Sequence, residues 1–383
     1  MNTKRKTPAI SQLLLVTVML LLTAGCGKTE VMPSVLDDGG ASPVVFTTSR
    51  PGETVPASEQ RSYTLAASIY AGWMPWYFAD ETGVLAKWAE REGIEIDVVS
   101  MDYVTSIEAF VTGRADACLI TNMDVLGLPV AAGIDTTVLV IGDYSNGNDK
   151  ILTRGIDSVV GLRGEEVSLV ELSVSDYLLS RALEQSGLSE RDVRLVNTGD
   201  SKIGAEFLAD KQRRAVVTWN PIASRLASEP GIRSIYDSAQ IPGEILDLCV
   251  VKTETLQRDP RLGRALVGAW YEVLALMRDP DARGQAALAK MAELADCSVA
   301  EFQSQLETTF MFWDPAAAVN YARSPALRKN MQPVRQFCFA KKLLGEDVRS
   351  VDDVGIAYPD GTVQGDPNRV RLRFDTSFAQ AAE

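Results

Sequence analysis

Tyr70-Ala71-Gly72-Trp73-Met74-Pro75-Trp76 stands between a strand-like run over residues 63–69 and a helix-like run that starts at Trp76. Gly72 frees the backbone, and Pro75 presets φ for a first helical turn. Two indole rings are thereby set in a strand-to-helix turn, the place where α/β folds collect their ligands. Either ring also has a plain role in core packing, so the rest of the chain must decide between the two.

Outward from that turn, strand and helix patterns alternate. The spacing predicts a helix over 76–91, a strand over 94–99, and a helix opened by a capping box at Thr105-Ser106-Ile107-Glu108 and closed at Gly113. A strand over 117–120, a helix over 125–132 and a strand over 137–141 follow, and this rhythm implies a mainly parallel sheet. Residues 142–149 (G-D-Y-S-N-G-N-D) read as a polar, turn-rich break and a hinge. A second α/β set has strands over 166–170, 193–196 and 215–218, with helices over 174–186 and 202–209. A strand over 245–251 then returns to the first set. From 259 to about 344 the pattern is helical, most clearly over 262–277. From 352 to the end it is irregular, and a surface position is expected.

The strand ends carry polar groups: Thr121-Asn122-Met123-Asp124, then Glu171, then Thr218-Trp219-Asn220-Pro221. Asp124 and Glu171 would also serve as ordinary helix-start acids. Asp247 lies inside the apolar run I-L-D-L-C-V-V, where a lone carboxylate is costly unless it is paired. Carboxylates and indoles at strand ends suit a small planar cation or a strong hydrogen-bond donor. They suit a sulfonate, nitrate or phosphate poorly, because no Arg or Lys occupies the equivalent strand ends. The nearest bases are Lys150 and Lys202.

Composition narrows the function. The chain has 383 residues, enough for two domains, with 51 acidic and 38 basic side chains for a net charge of −13. That balance argues against nucleic acid as a partner. There is no histidine, which removes Ser-His-Asp and Cys-His chemistry and every His-ligated metal site. Enzymes can work without His, but a hydrolase or a metalloenzyme is disfavoured, and no metal site, cofactor or catalytic residue is expected. The five cysteines form no CxxC pair.

The N-terminus has Lys4, Arg5 and Lys6, an apolar run over 13–22, and then Leu22-Thr23-Ala24-Gly25-Cys26. This resembles a bacterial lipoprotein signal, although Thr23 stands where such signals commonly have Leu. Residues 1–25 would be removed and Cys26 lipidated. Residues 26–62, rich in Gly, Pro, Ser and Thr, would be a flexible tether to the membrane. The localisation expected is extracytoplasmic or periplasmic.

From residue 63 onward the wording A-A-S-I-Y-A-G-W-M-P-W, T-N-M-D, G-D-Y-S-N-G-N-D, V-E-L-S-V-S, V-V-T-W-N-P and I-P-G-E-I-L-D-L resembles the solute-binding proteins of bacterial ABC transporters, in the nitrate/sulfonate/taurine-type group. It looks most like the branch found beside urea-carboxylase-type enzymes, for which urea and guanidine are the substrates in view. The resemblance implies an α/β, two-lobed periplasmic binding protein type II fold with a C-terminal helical segment. One lobe would be 63–145 with 242–383, and the other 146–241. It also implies a small-molecule ligand, a membrane permease as partner, and a monomer. The expected ligand residues are Trp73, Trp76, Asn122, Asp124, Glu171, Trp219, Asn220 and Asp247. Enzymes of the pyrimidine-synthase kind on the same scaffold depend on His, which this chain lacks. A binding protein for a sulfonate- or nitrate-type anion and a non-transport structural lipoprotein are the alternatives.

Overall fold

The computed structural model describes residues 61–381. The signal segment, Cys26 and the tether up to residue 60 lie outside the described residues. Arg61 and Ser62, expected in the tether, instead open the first strand, β1 (Arg61–Ala67).

Strand β1 is solvated at its start and buried from Leu65 onward, so its second half lies in the core. Strands β2 (Ile94–Ser100) and β3 (Ala117–Thr121) flank it in parallel. β3 is buried along its whole length, which is why it reads as an apolar run without alternation. β4 spans Thr136–Ser145. The chain then builds a separate five-stranded sheet from β5 (Lys150–Arg154), β6 (Glu166–Leu169), β7 (Arg194–Asn197), β8 (Ala215–Thr218) and β9 (Ile232–Asp237), in the order β7-β6-β8-β5-β9.

β10 (Leu246–Lys252) returns to the large sheet and lies between β3 and β4, antiparallel to both. β11 (Thr309–Met311), β12 (Gly355–Ala357), β13 (Val363–Gln364) and β14 (Val370–Phe374) complete nine strands. Their order is β13-β12-β14-β4-β10-β3-β1-β2, with β11 paired to β4.

Several expectations are corrected here. The single helix over 76–91 is two helices, Met74–Glu81 and Val84–Glu92, separated at Gly83, whose φ of 76° no helical residue adopts. The next helix begins at Tyr103 and not at a Thr105 cap, and the Ser106 hydroxyl donates back to the Tyr103 carbonyl. The helix expected over 125–132 is a short helix, Asn122–Val125, followed by a π-helical stretch, Leu126–Val130. Residues 142–145 are not a turn but the buried end of β4, held by β10 on one side and β11 on the other. The C-terminal region is no surface coil, since β12 and β14 extend the large sheet and bury Ile356 and Leu372. The large sheet also departs from a parallel one at β10, and that reversal sets Asp247 directly opposite Asp143.

Candidate ligand-binding cavity

At the ends of β3, β8 and β10 lies a small cavity of about 20 Å³, lined chiefly by Tyr70, Trp73, Tyr103, Trp219, Asp149 and Asp247. Thr121, Val174 and Ile245 complete its wall. This is room for one or two water molecules, or for a ligand of few heavy atoms.

The opening turn supplies one wall. Tyr70 is extended, and Ala71–Trp73 form a single 3₁₀ turn in which the Trp73 amide donates to the Tyr70 carbonyl at 2.9 Å. The two rings meet edge to face at 5.2 Å, and Tyr103 lies 5.8 Å from Trp73 and 5.7 Å from Trp219. Four aromatic residues therefore surround the space, each fixing the next.

Two acids, Asp149 and Asp247, join the lining, and Asp124 and Asp143 stand behind the tyrosines that bond them. Asp124 accepts from the Tyr103 hydroxyl at 2.6 Å and the Thr121 hydroxyl at 2.7 Å, while the Thr121 amide donates to Tyr103 Oη at 3.1 Å. Asp149 accepts from Ser145 at 2.6 Å. Tyr70 donates to Asp143 at 3.0 Å, and Asn148 donates to Tyr70 Oη at 3.3 Å. Asp143 and Asp247 face each other in cross-strand register. All four aspartates are at least nine-tenths buried.

Burial dominates their ionisation. It pushes Asp124 up to about 6, although the donors Tyr103 and Thr121 pull in the opposite direction. Asp149 is likewise pushed up to about 6 by burial, opposed by the Ser145 hydrogen bond and the charge of Lys150. Asp143 is raised by burial, and Asp247 more strongly, by burial and then by the Asp143 charge beside it.

No Lys or Arg lines the cavity. Lys150 donates instead to the carbonyl of Gly147. Buried polar atoms without a partner gather here: Trp73 Nε1, Asp143 Oδ2 and Asn148 Oδ1, with Ser175 Oγ and Thr218 Oγ1 next in sequence to the lining Val174 and Trp219. Among the described residues no group of three His, Cys, Asp or Glu is placed to hold a metal ion.

Of the residues singled out from sequence, the structure brings Trp73, Trp219 and Asp247 to the cavity wall, and it places Asp124 directly behind Tyr103 and Thr121. Four others do not line the cavity. Trp76 is 1% exposed and stacks on Trp270 at 5.0 Å, which makes it core packing. Asn122 is consumed by the Glu244 carbonyl and the Leu246 amide, so it ties down the approach to β10. Asn220 accepts from the amide and hydroxyl of Ser224, in the first turn of the helix Ile222–Ala227. Glu171 is solvent-exposed. Sequence reasoning passed over Tyr70, Tyr103, Asp143 and Asp149, and only Tyr70 carried a signal, its place in the aromatic turn.

A model of the family described as NMT1/THI5 like matches residues 74–281. No curated protein matches the chain. Among solved structures, the alkanesulfonate-binding protein SsuA from Xanthomonas axonopodis pv. citri, bound to MOPS, is similar with a TM-score of 0.61 at 19% identity, covering 75% of this chain and 95% of that one. The Candida albicans CA3427 product, described as having the generic periplasmic binding protein fold, gives 0.55 at 11% identity over 72% and 89% of the two chains. The desulfurization enzyme DSZB gives 0.53 at 16% identity over 74% and 93%. At these identities the likeness is one of fold, and the fold is that of the periplasmic binding proteins. Among the described residues no helix is long and apolar enough to cross a membrane.

Proposed function

Because this chain belongs to the NMT1/THI5-like family, we propose that it is the solute-binding component of an ABC importer and that its ligand is a small, planar nitrogen cation of the guanidinium type. The observation that carries this reading is the cavity: aromatic rings on one side, buried aspartates on the other, and no base among them. A guanidinium group offers N–H donors in a fixed plane to carboxylates and a delocalised charge to ring faces. Buried acids without a counter-ion carry a desolvation cost that such a ligand would offset.

In this proposal residues 63–145 with 242–383 form one lobe and 146–241 the other, and the lobes close over the ligand. A permease in the membrane is the partner, with Cys26 as the lipid anchor that holds the protein near it.

Two other ligands have an observation in their favour. The unpartnered indole N–H of Trp73 would suit an acceptor, such as the carbonyl oxygen of urea. The likeness to an alkanesulfonate-binding protein favours a sulfonate, but the lining holds no group that would neutralise it. An enzyme shares the fold as well, yet no reacting group is needed to explain this cavity.

Thermal-shift titration of the purified chain with guanidinium, urea, taurine and nitrate decides. A ligand at a hundredfold over its Kd adds about 2.7 kcal/mol, and guanidinium is expected to give the largest shift at equal concentration. A response to taurine or nitrate alone would overturn the reading.

A further inference from the structure

Asp143 and Asp247 occupy directly opposed positions on β4 and β10, and the register shifts immediately beyond them. Cross-strand neighbours of this kind hold their side chains close together, and like charges there repel. Neither carboxylate has a basic partner. Asp143 is 0% exposed and Asp247 5%. Asp143 Oδ1 accepts from Tyr70, whereas Oδ2 is buried with no donor in reach. Gly72 closes the space further, because a β-carbon there would overlap Asp143 Oδ2. Two carboxylates confined in this way cannot both be ionised without a cation between or beside them.

We propose that Asp143 and Asp247 are a carboxylate pair that carries one shared proton in the ligand-free protein and yields it to solvent when a monovalent cation occupies the cavity. This rests on the cation reading given above, and it adds to that reading the means of selection. Capture is then an exchange of one charge for another. The pair goes from one negative charge to two, the cation brings one positive charge, and the net charge of the buried site does not change. A neutral ligand of the same shape displaces no proton and leaves the pair as it was.

The groups that face the pair do not supply an alternative proton acceptor. Tyr70, from the segment after β1, is held protonated by burial. Asp149, from the turn ahead of β5, already accepts from Ser145, with Lys150 beyond it on β5. Asp124 is occupied by Tyr103 and Thr121. β11 and the helix Arg261–Met277 contribute Met311, paired with Asp143, and Trp270, against Gly142. Neither titrates.

The test is calorimetric titration of the full chain with guanidinium chloride near pH 7.5, where Asp124 and Asp149, pushed only to about 6, are ionised, in two buffers of different ionisation enthalpy. About one proton should be released per ligand bound, and the affinity should rise about tenfold per pH unit while the pair remains protonated. Asp247→Asn, which keeps the shape and removes one titrating group, should abolish the release. Asp143→Asn is the second variant, in case the first fails to fold. Guanidinium binding with no proton release would overturn the exchange alone. Absence of guanidinium binding would overturn the cation reading together with it.

Discussion

Gly72 and Asp143 meet so closely that a β-carbon on Gly72 would overlap the Asp143 carboxylate oxygen and stand 2.6 Å from the Tyr70 ring. The turn after β1 and the end of β4 are packed through that missing side chain. Asp143 cannot retreat, because β10 and β11 hold it on either side.

Gly72→Ala should therefore weaken guanidinium binding by more than tenfold and lower the melting temperature. Gly199→Ala is the control: Gly199 has φ of −62° and nothing within 4 Å of its would-be β-carbon, so it should leave the affinity unchanged and lower the melting temperature only by the small loss of a helix N-cap glycine. Equal affinity for Gly72→Ala and the parent would mean that Asp143 takes no part in the site.

The two tryptophans of the opening motif should separate cleanly. Trp76 is stacked on Trp270 with an interplanar angle of 25°, so Trp76→Ala should cost about 3–5 kcal/mol of stability in urea unfolding. Trp73 lines the cavity, and Trp73→Phe, which keeps most of the ring and loses the indole N–H, should act chiefly on ligand affinity. A reversed pattern would place the ligand on the wrong side of the turn.

Why one ring could be read from sequence and the other could not is a matter of distance along the chain. Gly72 and Pro75 mark the turn locally, but Trp270, which takes Trp76 into the core, arrives on a helix far downstream. Asp247 stood out because an acid in the middle of an apolar strand has no local use. Its partner Asp143 was hidden in G-D-Y-S-N-G-N-D, whose composition reads as a break. Pairing with β10 and β11 makes Gly142 to Ser145 a strand, and no window of neighbouring residues contains that information. The alternation of strands and helices was legible over most of the chain. β5, β9 and the C-terminal strands were missed because their mixed polar and apolar sequences take strand form only from the sheets they join.

The buried acids also set a pH dependence for the ligand-free protein. Asp124 and Asp149 sit near 6 in the folded state, and Asp143 and Asp247 are raised as well, against an ordinary carboxylate value of about 4. A raised folded value means that the stability is fully present below about pH 4 and is lost as pH climbs through 6 and beyond. Asp360, held at about 2 by Thr362 and Arg328, works in the opposite sense but only at more acidic pH. The melting temperature should fall by several degrees between pH 5 and pH 8, on a scale of roughly 2 °C per kcal/mol. Saturating guanidinium should flatten that fall. A melting temperature that rises over the same window would show that the acids are already neutralised.

Lys341 joins the helix Pro325–Ala340, which it follows, to the helix Val174–Gln185, whose first residue lines the cavity. Its ammonium donates to Asp176 at 3.1 Å and to Glu190 at 2.5 Å, and the Asp176 side chain is only 1% exposed. Lys341→Met keeps the aliphatic stem but leaves Asp176 buried without its cation, which should cost about 3–5 kcal/mol. Adding Asp176→Asn should restore much of that loss, because the penalty lies in the stranded charge and not in the missing bond. The same bridge holds the Val174 wall over the cavity, so the Lys341→Met protein should also release guanidinium faster, and stopped-flow dissociation reads this directly. If stability drops while the off-rate is unchanged, the bridge supports the fold and has no part in holding the cavity shut.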